Sequence, residues 1–293
     1  MDETKFFAYC GELEKAISGA LTWVQNNQEL VGNGSYALRK KLRHSGRLVR
    51  QCSIAAKRKM CAGVFGPSQS GKSYLLSALA RDSDNNLIAR FDKEQKDFLN
   101  ELNPEGGKES TGLVTRFTLT EPPSMPAGFP VHLRLLTEID LVKIIANTYF
   151  SDIKHTEVPD ENEIFDILKS ATSKTSNQNS HITIDDIEDL EEYINQEFKE
   201  QLRVVTLKKG YWTQLAEIAP KLEMEDRIPL YAIIWDNVPQ FTSLFSRLMR
   251  DLKKLDFATD AWCTLNALIP REDSIIDVAM LKRLGKDNSN LDI

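Results

Sequence analysis

The chain has 293 residues, of which 41% are hydrophobic and 27% are charged, and its formal net charge is -6. A chain of this length and composition can bury a full core and holds about one or two domains. The composition excludes collagen-like, mucin-like and prion-like proteins, and no apolar run reaches the roughly 18 residues of a membrane-spanning helix. Because the N-terminus lacks a secretory signal, we expect a cytoplasmic protein, with export only by a route that needs no signal peptide.

Residues 1–60 are predicted to form an N-terminal helical hairpin. Apolar residues recur at intervals of three and four residues over residues 3–27, which is the period of an amphipathic helix. A glycine-containing segment then ends this pattern, and Ser35 can cap a second helix. The second helix is basic, since residues 35–60 include nine Lys or Arg and no acidic residue. Three partners remain open for its basic face: the acidic stretch after residue 151, another protein, or an anionic surface such as a membrane or DNA. Apart from Tyr36 this helix has no interleaved aromatic residues, so base stacking on single-stranded nucleic acid is unsupported.

Residues 61–150 are predicted to form a nucleotide-binding core. A short apolar run at residues 61–65 precedes a glycine-rich loop, and residues 74–80 have a helical composition. The loop follows the pattern G-x-x-x-x-G-K-[ST] and consists of Gly66, Pro67, Ser68, Gln69, Ser70, Gly71, Lys72 and Ser73, with Tyr74 next. Strand, loop and helix in this order form the context in which the motif binds phosphate.

The loop predicts binding of a nucleoside triphosphate, GTP or ATP, together with Mg²⁺. Gly66 and Gly71 permit a tight backbone path whose N–H groups and helix terminus surround phosphate oxygens. Lys72 is predicted to contact the β- and γ-phosphates, and the Ser73 hydroxyl is predicted to bind Mg²⁺. The motif predicts neither the base nor hydrolysis.

Hydrolysis requires an acidic residue on the Mg²⁺ side and a group that senses the γ-phosphate. The candidate carboxylates are Glu138, Asp140, Asp236 and Asp277, each of which a helix cap or a turn also explains. Neither D-x-x-G nor N-K-x-D occurs. The candidate sensor is a hydroxyl within residues 110–116, which follow a flexible loop and precede a strand, although an ordinary threonine-rich strand entrance also explains them.

The remaining elements complete an α/β fold prediction. Strands are predicted at residues 113–120 and 131–136, as an antiparallel hairpin, and a helix at residues 140–150. Residues 151–293 are predicted to form a mostly helical insertion or second lobe, with a mobile loop near residues 170–180. The predicted architecture is a P-loop NTPase-like sheet flanked by helices, with the N-terminal hairpin and the helical lobe attached.

Residues 112–116, Gly-Leu-Val-Thr-Arg, resemble the G-[IL]-V-T-R element of dynamin-like GTPases. This resemblance implies that Thr115 binds Mg²⁺ in a switch role, with Thr111 as the second choice. Over its whole length the chain is similar to the N-terminal part of the SrfC-type putative bacterial virulence factors, through the hairpin, the loop, residues 109–117 and residues 270–278. Members of that family are longer and have an Asp-x-Pro-Gly element beyond this region, which implies that the Mg²⁺-side carboxylate lies outside this chain.

The sequence therefore predicts a GTPase-like, nucleotide-dependent switch in which Lys72 and Thr115 take the catalytic roles. The resemblance implies protein partners from a virulence-associated operon or assembly. A P-loop ATPase is one alternative, and a non-enzymatic interaction or scaffold protein with a structural loop is the other. The sequence does not predict the oligomeric state.

Overall fold

Helices dominate the structure, and strands occur in short pairs. The computed structural model describes residues 3–58, 61–66, 70–81, 86–103, 108–109, 114–119, 125–153, 160–176, 180–268 and 276–277. Within these ranges the α-helices are α1 (Glu3–Asn26), α2 (Gln28–Val31), α3 (Ser35–Ala56), α4 (Lys72–Ala80), α5 (Glu138–Asp152), α6 (Glu161–Thr172), α7 (Ile184–Glu197), α8 (Leu202–Leu207), α9 (Tyr211–Ile218), α10 (Met224–Ala232) and α11 (Pro239–Lys254). The strands are β1 (Ile88–Phe91), β2 (Glu94–Asp97), β3 (Lys108–Glu109), β4 (Val131–Arg134), β5 (Asp260–Cys263) and β6 (Ile276–Asp277). A π-helix spans Phe98–Leu102, and 3-10 helices span Gly32–Gly34, Ala219–Lys221, Ile233–Trp235 and Leu265–Ala267.

The chain divides into two compact units. The first unit comprises Met1–Cys61 and Thr137–Phe257, and the second comprises Ala62–Leu136 and Ala258–Ile293. Among the described α-helices, only α4 belongs to the second unit.

The first unit is built around a core of amphipathic helices. On α7, Ile187, Leu190 and Ile194 recur at threes and fours, so they share one face, and all three are completely buried. The same core contains the fully buried side chains Val142, Leu215, Trp235 and Phe245. The Trp235 Nε1 donates to Thr242 Oγ1 at 3.0 Å, which satisfies the polar edge of the buried indole.

Two helices of this unit begin with a reciprocal cap that the sequence encodes as Thr-x-x-Asp. At α5 the Asp140 backbone N–H donates to Thr137 Oγ1 at 3.1 Å, and the Thr137 N–H donates to the Asp140 carboxylate at 2.9 Å. Thr183 and Asp186 form the same arrangement at α7. Each cap satisfies N–H groups that the first turn leaves without helical acceptors.

The basic face of α3 pairs with the acidic helix α7. The ion pairs are Lys40–Glu191 at 2.6 Å, Arg43–Glu188 at 2.9 Å, Arg47–Glu188 at 2.9 Å, Arg47–Glu192 at 3.2 Å and Arg50–Asp185. Glu188 is only 2% exposed, so its two arginines neutralise a carboxylate that is removed from water. The sequence left three partners open for the basic face. The acidic stretch of the same chain is the partner of these four side chains, namely Lys40, Arg43, Arg47 and Arg50.

The α/β fold prediction is wrong. Among the described residues, the strands form three separate two-stranded antiparallel sheets, β1–β2, β3–β6 and β4–β5, in place of a P-loop NTPase-like sheet. Residues 61–65, predicted as the first strand, are irregular, and the Phe65 side chain is 93% exposed. A strand requires a neighbouring backbone to pair with and a surface that covers its side chains, and a short apolar run specifies neither.

The strand predicted at residues 131–136 is present as β4, but with a different partner. β4 pairs antiparallel with β5, placing Val131 opposite Cys263 and Arg134 opposite Asp260. The predicted partner was residues 113–120, of which 114–119 are irregular and 113 and 120 lie outside the described residues. The pairing of β4 therefore joins segments distant in sequence, which a prediction based on a local hairpin cannot identify.

The loop predicted near residues 170–180 follows the end of α6 at Thr172. The Ser176 N–H donates to the Lys221 carbonyl at 2.8 Å, and the Ser180 N–H donates to the Pro220 carbonyl at 2.9 Å. Residues 177–179 lie outside the described residues. Both flanks of this short segment thus bind the same 3-10 turn of the first unit.

Candidate functional site

The glycine-rich segment enters α4 through a left-handed residue. Gly71 is the N-cap of α4 and has a φ of 79°, a conformation that glycine adopts without strain. The Leu75 N–H donates to the Gly71 carbonyl at 2.9 Å and closes the first turn. No acidic residue lies in that turn, so no side-chain charge there offsets the positive end of the helix. The helix predicted after the loop is present.

Lys72 extends back across the segment that precedes the helix. Its Nζ donates to the Gly66 carbonyl at 2.9 Å, so the ammonium contacts the first residue of the predicted phosphate loop. A Cβ atom added to Gly66 would lie 3.0 Å from Ser70 Oγ, so the Ser70 side chain would have to move slightly, whereas the 3.7 Å to Lys72 Cδ is an ordinary contact. Three loop residues assigned from the sequence, Pro67, Ser68 and Gln69, lie outside the described residues.

Ser73 contacts a residue to which the sequence analysis gave no role. The Asn103 Nδ2 donates to Ser73 Oγ at 2.7 Å, and both side chains are half-buried. Asn103 follows the π-helix, whose N-cap Asp97 accepts from the Leu99 and Asn100 backbone N–H groups. Sequence reasoning missed Asn103 because it belongs to no local motif and reaches Ser73 only through the fold.

Thr115, the predicted switch residue, lies in an exposed and irregular segment. Two residues later, the Phe117 ring packs edge-on against Phe98, with 5.0 Å between the ring centroids. Phe98 is the first residue of the π-helix, and Asn103 directly follows that helix. The Thr115 segment therefore packs against the element that positions the Ser73 contact. The second-choice residue, Thr111, lies outside the described residues.

The candidate Mg²⁺-side carboxylates have other partners or positions. Asp140 belongs to the cap of α5, which confirms the helix-cap alternative, and Asp236 pairs with Arg203 at the end of a 3-10 helix. Asp277 lies in β6, opposite Lys108 of β3.

Glu138 is the centre of a buried ion cluster in the first unit. Its Oε1 accepts from Arg227 Nε at 2.7 Å and its Oε2 accepts from Arg227 Nη2 at 2.8 Å, and His181 Nε2 lies 2.9 Å from the same Oε2. Glu138 and Arg227 are 2% and 1% exposed. Burial by itself raises the pKa of the Glu138 carboxyl, but the hydrogen bonds from His181 and Arg227 outweigh burial and place that pKa below its usual value. The cluster therefore holds a charged carboxylate whose role is structural.

The described residues contain no group of three or more His, Cys, Asp or Glu side chains placed to hold a metal ion. None of the helices in the described ranges is both long and apolar enough to cross a membrane.

The chain matches a protein family over most of its length. The model of the family described as "Putative bacterial virulence factor" matches residues 20–293. The matched region includes residues 66–73 together with Asn103 and Thr115. No curated protein and no solved structure matches the chain.

Proposed function

We propose that this chain, which belongs to the putative bacterial virulence factor family, binds a nucleoside triphosphate through residues 66–73 and acts as a nucleotide-dependent switch. The observation that carries the proposal is the Lys72 ammonium, 2.9 Å from the Gly66 carbonyl, beside the N-terminus of α4. Backbone N–H groups at a helix N-terminus and an adjacent ammonium together stabilise phosphate oxygens. This chemistry depends on the loop and α4 alone and does not require the sheet that the sequence predicted.

Mg²⁺ fits the same place through Ser73. The Ser73 hydroxyl lies in the first turn of α4, one residue after Lys72, and is half-buried. A hydroxyl oxygen is a hard ligand of the kind that Mg²⁺ prefers, and the ion would neutralise triphosphate charge beside it. Thr115 is the second proposed protein ligand, by the resemblance of residues 112–116 to dynamin-like GTPases.

The resemblance to dynamin-like GTPases favours GTP over ATP. Membership of the putative bacterial virulence factor family favours proteins of a virulence-associated assembly as the partners that respond to the switch. The proposal concerns binding and release of the triphosphate. It assigns no hydrolytic carboxylate, because Asp140, Glu138 and Asp236 already have partners within the first unit.

Equilibrium titration of the chain with fluorescent GTP and fluorescent ATP, with and without Mg²⁺, tests the proposal. We expect saturable binding at one site, stronger with Mg²⁺ than in EDTA, and tighter for GTP than for ATP. Tighter ATP binding would favour the ATP-binding alternative for the same loop. Absence of saturable binding of both nucleotides would contradict the proposal and favour an interaction protein with a structural loop.

A further inference from the structure

We infer that Asn103 positions the Ser73 hydroxyl and thereby sets the affinity of the triphosphate site for Mg²⁺, an inference that rests on the proposed function. Asn103 Nδ2 donates a hydrogen bond to Ser73 Oγ at 2.7 Å. A serine hydroxyl has one hydrogen to donate and two lone pairs that accept. Since Asn103 occupies one lone pair, the other remains for a cation, and the hydrogen remains for a phosphate oxygen or water.

The backbone that carries Asn103 is held in place by the π-helix. The Asn103 N–H donates to the Phe98 carbonyl at 2.7 Å, and Phe98 is 6% exposed. At the other end of the same short helix, the Asp97 carboxylate accepts from the Leu99 N–H at 2.9 Å. π-Helices are rare and frequently occur at functional sites. Here the π-helix fixes a donor beside the hydroxyl that is proposed to bind the ion.

Orientation of this hydroxyl matters more for Mg²⁺ than for a larger cation. Mg²⁺ requires near-octahedral geometry and loses its water reluctantly, so a ligand already held in one orientation favours binding. Some residues orient a metal ligand through a hydrogen bond without contacting the metal. Replacing such a residue typically lowers metal affinity by about 10- to 100-fold. Asn103 touches neither the nucleotide nor the ion in this account and acts through Ser73.

The experiment compares the wild type with Asn103→Ala, Ser73→Ala and the double variant. Binding of fluorescent GTP and fluorescent ATP is measured over a range of Mg²⁺ concentrations and in EDTA. We expect Asn103→Ala to raise the Mg²⁺ concentration at half-effect by roughly tenfold, with nucleotide affinity in EDTA unchanged. Because Asn103 acts through Ser73, the double variant should match Ser73→Ala.

Asn100→Ala provides the matched control. Asn100 lies on the same π-helix and its side chain donates to Asp97 at 2.9 Å, so its replacement tests general damage to this element. We expect it to leave the Mg²⁺ dependence at the wild-type value, and an equal loss in Asn100→Ala and Asn103→Ala would overturn the inference.

Two further results would also overturn the inference: an unchanged Mg²⁺ dependence in Asn103→Ala, or additive losses in the double variant. Either result leaves the proposed function standing, because the wild type still binds nucleotide. A wild type that binds neither nucleotide refutes the proposed function itself, and the inference falls with it.

Discussion

Replacing Glu138 by Gln is expected to destabilise the chain by about 3–5 kcal/mol, because it leaves buried Arg227 without its anionic partner. Arg227 donates two hydrogen bonds to this carboxylate and a third to the Leu222 carbonyl, and its side chain is 1% exposed. An arginine cannot lose its proton under ordinary conditions, so the uncompensated charge remains in the core. The free energy of unfolding, measured with denaturant, gives the magnitude.

Glu225→Gln, on the same helix as Arg227, is the matched control. Glu225 pairs with Lys253 at 2.9 Å, but both side chains are more than half exposed, and we expect a change within about 1 kcal/mol. A similar small change for Glu138→Gln would show that the buried cluster contributes no more than a surface pair.

The Glu138 cluster also predicts a pH dependence. The pKa of this carboxyl is lower in the folded state than in the unfolded chain. Its contribution to the free energy of unfolding is therefore complete above the unfolded pKa of about 4.3. The contribution is lost as the pH falls from there through the folded pKa. The acid transition should therefore be shallower in Glu138→Gln than in the wild type.

Replacing Lys72 by Ala is expected to weaken triphosphate binding by roughly 10- to 100-fold. A hydrogen bond from a charged group contributes about 1.5–3 kcal/mol, and about 1.4 kcal/mol corresponds to a tenfold change in affinity. Because the hydrogen bond from Lys72 Nζ to the Gly66 carbonyl is exposed, its loss should change stability little, and we expect the variant to unfold at nearly the wild-type temperature. Titration with fluorescent GTP measures the loss of binding.

Lys93→Ala controls for the removal of one positive charge from the same unit, since Lys93 lies exposed in the turn between β1 and β2. Its affinity should equal that of the wild type. For a partner protein that binds the chain, the switch predicts loss of nucleotide-dependent association in Lys72→Ala. Unchanged association would support the scaffold alternative.

Local patterns predicted helices well. Apolar residues at intervals of three and four in residues 3–27 correspond to α1, and the helix predicted at residues 140–150 is present as α5. Both the hydrogen bonds and the apolar face of a helix lie within one continuous segment, so a local pattern contains most of the information. The start of α3 shows the limit, since Gly34 rather than Ser35 is the N-cap.

Strand pairing could not be predicted in the same way. The sequence placed the partner of β4 at residues 113–120, whereas the partner is β5. Strand pairing depends on which distant segments meet, and neither β-propensity nor apolar character identifies the partner. The strand predicted at residues 61–65 is absent for the same reason. An apolar run followed by a glycine-rich loop does not by itself provide a second strand to pair with.

In the candidate site, too, the residues of a local motif were predicted and the residue that is distant in sequence was not. The motif identified Gly66, Lys72 and Ser73, because the residues that surround phosphate in such a loop are consecutive in sequence. Asn103 is separated from Ser73 by β1, β2 and the π-helix, and only the folded chain brings the two side chains within 2.7 Å. The roles of Thr115 in metal binding and switching stay predictions from the resemblance.

Amide hydrogen exchange of the chain, with and without Mg²⁺ and a non-hydrolysable GTP analogue, tests the central claim most directly, because it locates the bound nucleotide. Binding at the proposed site predicts slower exchange in peptides that cover residues 66–76 and Asn103, with α7 and α10 unchanged. This protection should disappear in Lys72→Ala. Protection confined to other segments, or the same protection in Lys72→Ala, would contradict the assignment of residues 66–73 as the triphosphate site.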